Sequence, residues 1–209
     1  MPVIFDWRSA KAVISPLLAA MFGENVFSDN SFLKEYLGKR ICPETIMIVD
    51  DPHIPRFGNS RVYDGDAVAS RFVPVVVGGI LQMWLTSLKS AAQLGVSPTG
   101  HSGNHLSNII VGNGVHARDE LMSGIAQGLL VTETMGHGAN VTTGDFSCGA
   151  EGFLIEHGKV CRPVDEMTIA GNLIDMCRTM QVANDRDERL TFSVPSIYIE
   201  RMMVAGKRE

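Results

Sequence analysis

His101 and His105 stand four residues apart, a spacing that on a helix puts two imidazoles on one face and lets them chelate zinc. The residues between them and just before, Gly100, Ser102, Gly103 and Asn104, make a poor helix, and no histidine in the chain is followed by glutamate, so HExxH is absent. A third ligand would have to come from Glu133, Asp145 or Cys148. The alternative is that both histidines hydrogen-bond a loop or a bound peptide. Nucleophilic chemistry has less support: Ser147 and Cys148 lie in a glycine-flanked turn with no GxSxG elbow, and Asp145 reads as an Asx-type turn former. Asp50 and Asp51 precede Pro52, where strand-end carboxylates cap or face water unless a cation draws them together. His53 and His137 are single histidines and read as structural. GNGVHARDE lacks the strand, glycine loop and helix of a nucleotide site.

The richest stretch is 143–172, TGDFSCGAEGFLIEHGKVCRPVDEMTIAGN. Its glycines, including Gly144, Gly149, Gly152 and Gly158, suggest backbone that bends, bulges or lies against another chain, because glycine takes positive φ without steric cost. Close backbone approach is what a peptide groove needs. The residues expected to contact a peptide or a subunit are therefore His101, Asn104, His105, Gly144, Asp145, Ser147, Gly149 and Gly152. No catalytic or metal-ligating residue is assigned.

Elements must position these groups. The pattern predicts a helix over 9–22, strained at Pro16, and a short helix over 31–40, capped by Ser31 and stopped by Gly38. A strand follows at 45–49, ending in the Asp50-Asp51-Pro52-His53 turn, and then a polar loop. Two strands flank the Gly78-Gly79 turn within 71–85, and a helix over 86–94 stops at Gly95. The small polar loop SPTGHSGNHLSN is too long for a plain connector. A strand at 108–111, a helix over 117–127 and a strand at 129–133 come next. The hairpin 146–156 and 159–169 then turns at His157-Gly158, where a two-residue primed turn would pair Leu154 with Cys161 and Cys148 with Met167. That register disfavours a disulfide between the hairpin cysteines. A helix over 173–180 and a strand over 196–204 close the chain. The expected architecture is α+β, a mainly antiparallel, strongly curved sheet, open barrel-like or a sandwich, with flanking helices.

With 209 residues, 45% of them hydrophobic, the chain can fill one sizeable core and reads as a single domain over 1–209. A formal charge of -5 with no basic run argues against direct nucleic-acid binding. No apolar run reaches membrane-spanning length. Cys42, Cys148, Cys161 and Cys177 form no CxxC pair and no signal peptide is visible, which together point to free thiols in the cytoplasm.

The segments SFLKEYLGKRI, IVDDPH, SAAQLGVSPTGHSG, GLLVTETMGHGANVTTGDFSCGAEGFLIEHGKV and PVDEMTIAGNLIDM, with the VANDRD that follows, resemble the TldD/PmbA family, long labelled modulator of DNA gyrase, and its PmbA (TldE) branch in particular. Members are longer, so the chain resembles their C-terminal domain with the N-terminal domain absent. For the TldD branch the resemblance implies a zinc peptidase whose ligands come from an HExxxH helix and a cysteine near the C-terminus. Here that helix reads AVISPLLAAMFGE, with Ile14 and Ala19 near the places of the histidines, and SIYIERMMVAG has no cysteine. The resemblance therefore implies a non-catalytic subunit that binds no zinc itself. Such a subunit pairs with a zinc-bearing TldD-like metallopeptidase to degrade unfolded peptides, such as microcin leader peptides and labile antitoxins. Homo- or hetero-oligomers fit this picture, and the gyrase label reads as indirect. Two rivals stand beside it: an autonomous metal-dependent hydrolase using His101, His105 and Asp145, and a homodimeric peptide-binding module.

Overall fold

Three apolar residues, Val3–Phe5 (β1), all with no exposed surface, sit inside the larger sheet, although so short a run carries no period to recognise. The computed structural model describes residues 1–136 and 138–206, so His137 lies outside the described residues. Beyond β1, the Ser9 and Ala10 amides both donate to the Asp6 carbonyl and lead into α1 (Lys11–Ala19), which accommodates Pro16. The expected helix over 9–22 is shorter because its C-terminal amides tighten, Met21 onto Leu18, and Phe22 turns extended. A second helix, α2 (Gly23–Phe27), follows unannounced. The helix expected over 31–40 reduces to one 3-10 turn at Lys34–Tyr36, with Ser31 accepting from the Leu33 amide and Gly38 at φ 72°.

The remaining elements are β2 (Ile48–Asp50), β3 (Val73–Val77), β4 (Ile80–Leu81), α3 (Leu88–Leu94), β5 (Ile109–Val111), α4 (Arg118–Ser123), β6 (Gln127–Met135), β7 (Asp145–Glu156), β8 (Lys159–Asn172), α5 (Leu173–Thr179), β9 (Gln181–Val182), β10 (Phe192–Ser193), β11 (Ile197–Ile199) and β12 (Met203–Ala205). Gly78-Gly79 makes the expected hairpin turn between β3 and β4, and Gly95 ends α3 at φ 68°. The strand expected at 45–49 shifts onto Asp50, which is therefore inside β2 rather than in a turn. The helix expected over 117–127 stops at Ser123, because the Ile125 amide closes onto Met122 and β6 begins at Gln127. The expected strand over 196–204 divides: β11 lies between β1 and β9, while β12 crosses to the edge beside β8.

Strands run β12-β8-β7-β6-β1-β11-β9 in one sheet and β10-β5-β2-β3-β4 in the other. The α+β class holds. The sheets are mixed, with β1 parallel to β6 and β10 parallel to β5 among otherwise antiparallel neighbours. Neither sheet closes on itself, so the barrel-like alternative is not what forms. One hydrophobic core draws on both sheets and on α1, with Phe5 and Phe146 meeting edge to face at 6.2 Å.

His157 (φ 49°) and Gly158 (φ 74°) form the predicted primed turn, with Glu156 opposite Lys159 and Ile155 opposite Val160. Further along, the register slips. Phe153 faces Pro163, Gly152 faces Val164 and Ala150 faces Met167, so β8 carries bulges and Cys148 faces Ile169 rather than Met167. Glu166 takes φ 48° within this irregular run. Strict pairing from the turn cannot foresee a bulge, because the extra residues are accommodated by backbone conformation rather than by side-chain alternation.

Candidate functional site

His101 does not meet His105. The intervening Ser102–Asn104 form a 3-10 turn whose Gly103 has φ 65°, and the two rings part company. His101 is buried, 3.0 Å through Nε2 from Asp50 Oδ2 and 2.9 Å through Nδ1 from Thr99 Oγ1. Asp50 Oδ2 also accepts the Ser107 amide at 2.8 Å. The loop around His101 is held by side chains of the preceding polar loop: Arg61 donates to the Gly100 and His105 carbonyls, and Asp64 accepts the Ser102 amide. The long loop is therefore a stapled structural unit. Asn104 and His105 lie exposed on it.

The glycine-rich residues occupy the other sheet. Asp145 holds its turn, accepting from Thr143 Oγ1 at 2.8 Å, and the Asn172 amide donates to both Asp145 and the Thr143 carbonyl. Gly144, at φ 79°, accepts the Leu173 amide on its carbonyl and so ties β7 to α5. Ser147 is exposed on β7, opposite Ala170. Gly149 pairs with Met135 on β6, and Gly152 sits at the bulged crossing where a Cβ would lie 1.9 Å from the Leu130 carbonyl oxygen. Among the described residues, no group of three or more His, Cys, Asp and Glu is placed to hold a metal.

None of the eight expected contact residues lines the cleft that has α1 as one wall. This cleft, about 540 Å³, runs between α1 and β6. The α1 wall presents Lys11, Ala12, Ser15, Pro16 and Ala19; β6 presents Thr132, Glu133 and Thr134; Gly138, Ala139 and Val141 close one side and Cys148 contributes from β7. The amphipathic division of α1 explains the wall, since Val13, Ile14, Leu17 and Leu18 take the opposite face into the core. Ile14 therefore does not reach the cleft, whereas Ala19 does.

A bulge at Thr132 makes the second wall. Val131 pairs with Gly152 and Glu133 with Glu151, leaving Thr132 as the extra residue. It falls where β6 exchanges β1 for the start of α1, because the Val131 carbonyl accepts the Asp6 amide at 2.9 Å and Ser9 Oγ at 2.8 Å. Asp6 fixes this corner. Its buried carboxylate accepts Arg8 Nε at 2.8 Å and Arg118 Nη1 at 3.0 Å. Burial alone would push the Asp6 carboxyl up, but the Arg8 hydrogen bonds and the Arg8 and Arg118 charges outweigh it and hold it below the ordinary range.

Burial pushes the Cys148 thiol up to about 11, so near neutral pH it is protonated and serves as an apolar part of the floor. Among the described residues the α1 wall offers no imidazole, carboxylate or thiolate, and the cleft's lining brings only Glu133 and Cys148 as zinc-type donors, fewer than a zinc shell needs. The sequence pointed to glycines and histidines and missed Lys11, Ser15, Thr132 and Thr134. A usable signal existed for α1, whose small and polar residues at 11, 12, 15 and 19 share one helical face.

Residues 1–206 match the PmbA/TldA metallopeptidase C-terminal domain, which sets the class of this protein. Metalloprotease PmbA homolog of Haemophilus influenzae is 38% identical over 207 residues, which cover 99% of this chain and 46% of that protein. Metalloprotease PmbA of Escherichia coli O157:H7 is 37% identical over the same coverage of 99% and 46%. The chain belongs to the PmbA/TldD metallopeptidase family. A crystal structure of a proposed modulator of DNA gyrase from Bacteroides thetaiotaomicron superposes with a TM-score of 0.89 at 30% identity, covering 99% of this chain and 47% of that one. The chain thus spans about half the length of the relatives it matches. Among the described residues no helix is long and apolar enough to cross a membrane.

Proposed function

We propose that this chain is the C-terminal domain of a PmbA/TldE-like subunit that does not itself perform hydrolysis and works beside a TldD-like zinc metallopeptidase chain in the cytoplasm. The observation that carries the reading is the α1 wall of the cleft. In the TldD branch, as the family resemblance has it, this helix bears HExxxH; here it presents Lys11, Ala12, Ser15, Pro16 and Ala19. What remains is a polar, hydroxyl-lined cleft suited to holding an extended segment by Ser15, Thr132 and Thr134, with cleavage left to the partner. The substrate class is an unfolded peptide, leader peptides and antitoxins among them.

The histidine-based hydrolase is less well supported, because both ring nitrogens of His101 are engaged inside the protein while His105 and Asp145 are exposed on different elements. Co-expression with a chain carrying HExxxH, followed by zinc analysis and an unfolded-peptide cleavage assay, tests the reading. The expected outcome is co-purification, zinc in the partner, and cleavage by the mixture but not by this chain alone. Stoichiometric zinc and hydrolysis in this chain by itself, both lost in a His101→Ala, His105→Ala variant, would overturn it.

A further inference from the structure

The two long walls of the cleft carry opposite charge. Arg8 and Lys11 line it where the chain enters α1, and Glu133 stands on the β6 wall. Arg8 is already engaged: its guanidinium grips Asp6 through Nε and Nη2 and lies 5.6 Å over the Trp7 ring. Lys11 is different. Its ammonium lies 5.0 Å from the centre of the Phe192 ring, and no carboxylate forms an ion pair with it among the described residues. The aromatic contact restrains the long stem and so lowers the entropy lost when an anion is met. The first turn of α1 contains no acidic residue to compete for that anion.

We infer that the cleft selects peptide segments bearing a carboxylate, an aspartate, a glutamate or a chain terminus, which it places against Lys11 on the α1 wall. Glu133 repels the same carboxylate from the β6 wall and so sets the direction in which the segment lies. Ser15, Thr132 and Thr134 supply hydroxyls to the peptide groups alongside. A chain whose formal charge is -5 otherwise disfavours acidic ligands, so a local cation is needed to admit them. This inference rests on the peptide reading above, and deepens it by naming the side chains the cleft accepts.

Two fluorescein-labelled unstructured peptides, equal in length and differing only in aspartate against asparagine, provide the test by fluorescence anisotropy at low salt. The unmodified chain is expected to bind the aspartate peptide roughly two- to fivefold more tightly, the range of a partly exposed ion pair, with the margin shrinking as salt is added. Lys11→Glu should abolish or invert the preference. Lys89→Glu, the same charge change on α3 outside the cleft, should keep it, and circular dichroism checks that both variants are folded. Equal binding of both peptides to the unmodified chain overturns the inference while leaving the peptide reading in place. Loss of the preference in Lys89→Glu as complete as in Lys11→Glu assigns it to net charge and also overturns the inference. Failure of both peptides to bind removes the peptide reading, and the inference with it.

Discussion

Asp6 shows how one residue can hold a site without touching its contents. Its carboxylate is 1% exposed and ties the end of β1 to Arg8 at the cleft and to Arg118 on α4. Because its folded pKa lies below the ordinary 3.8, the stabilisation it supplies is present above that value and is lost as pH falls through the lower folded value. Asp6→Asn should therefore cost roughly 1–3 kcal/mol near neutral pH, the range for leaving buried hydrogen-bonding partners unmatched. Urea midpoints of the two proteins should converge as pH falls below the ordinary carboxylate range and the native carboxyl protonates too; a difference unchanged over that fall would contradict the ion-pair account. Little of this was visible in DWR as a tripeptide. The nearer partner, Arg8, is two residues away, but Arg118 reaches Asp6 from 112 positions along the chain.

Elements were legible where local chemistry decides them. His157-Gly158 reads as a primed turn and Gly78-Gly79 as another, because positive φ at two successive positions restricts the residues that can be there. The bulges on β6 and β8 were not legible, and the one at Thr132 on β6 lies in the cleft wall. Gly152 is where they meet, since β7 there lies so close to β6 that any Cβ would fall 1.9 Å from the Leu130 oxygen. Gly152→Ala should destabilise the protein by roughly 1–3 kcal/mol, the usual range for overpacking, through a forced shift of backbone rather than of a flexible side chain. Thermal unfolding checks this, and an unchanged melting temperature would mean that β7 and β6 separate without cost. His101 and His105 teach the converse lesson. Their spacing suggested a shared helical face, but Gly103 at φ 65° breaks the helix, and the buried His101 is claimed by Asp50 and Thr99.

For the whole molecule, β1 is the element on which most depends. It pairs in parallel with β6 and antiparallel with β11, so the larger sheet divides without it. Val3, Ile4 and Phe5 are fully buried, and each such side chain is worth roughly 1.5–3 kcal/mol, which together approaches the roughly 5–15 kcal/mol by which domains are stable. A chain beginning at Asp6 should lose cooperative unfolding, read by circular dichroism and calorimetry; a sharp transition near that of the unmodified chain would show that β6 and β11 can close the gap. The sequence by itself determined the α+β class, the family and the tight turns, because composition, short motifs and positive-φ positions are local properties. Only the tertiary structure decided the mixed pairing, the buried role of His101 and the place of the cleft. Those depend on contacts between residues far apart in the chain: the β6 bulge at Thr132 lies where Val131 meets Asp6 and Ser9, and no spacing along the chain records that meeting. Among the hairpin glycines, Gly152 lies against the backbone of the protein's own β6 and Gly158 against that of Ser123.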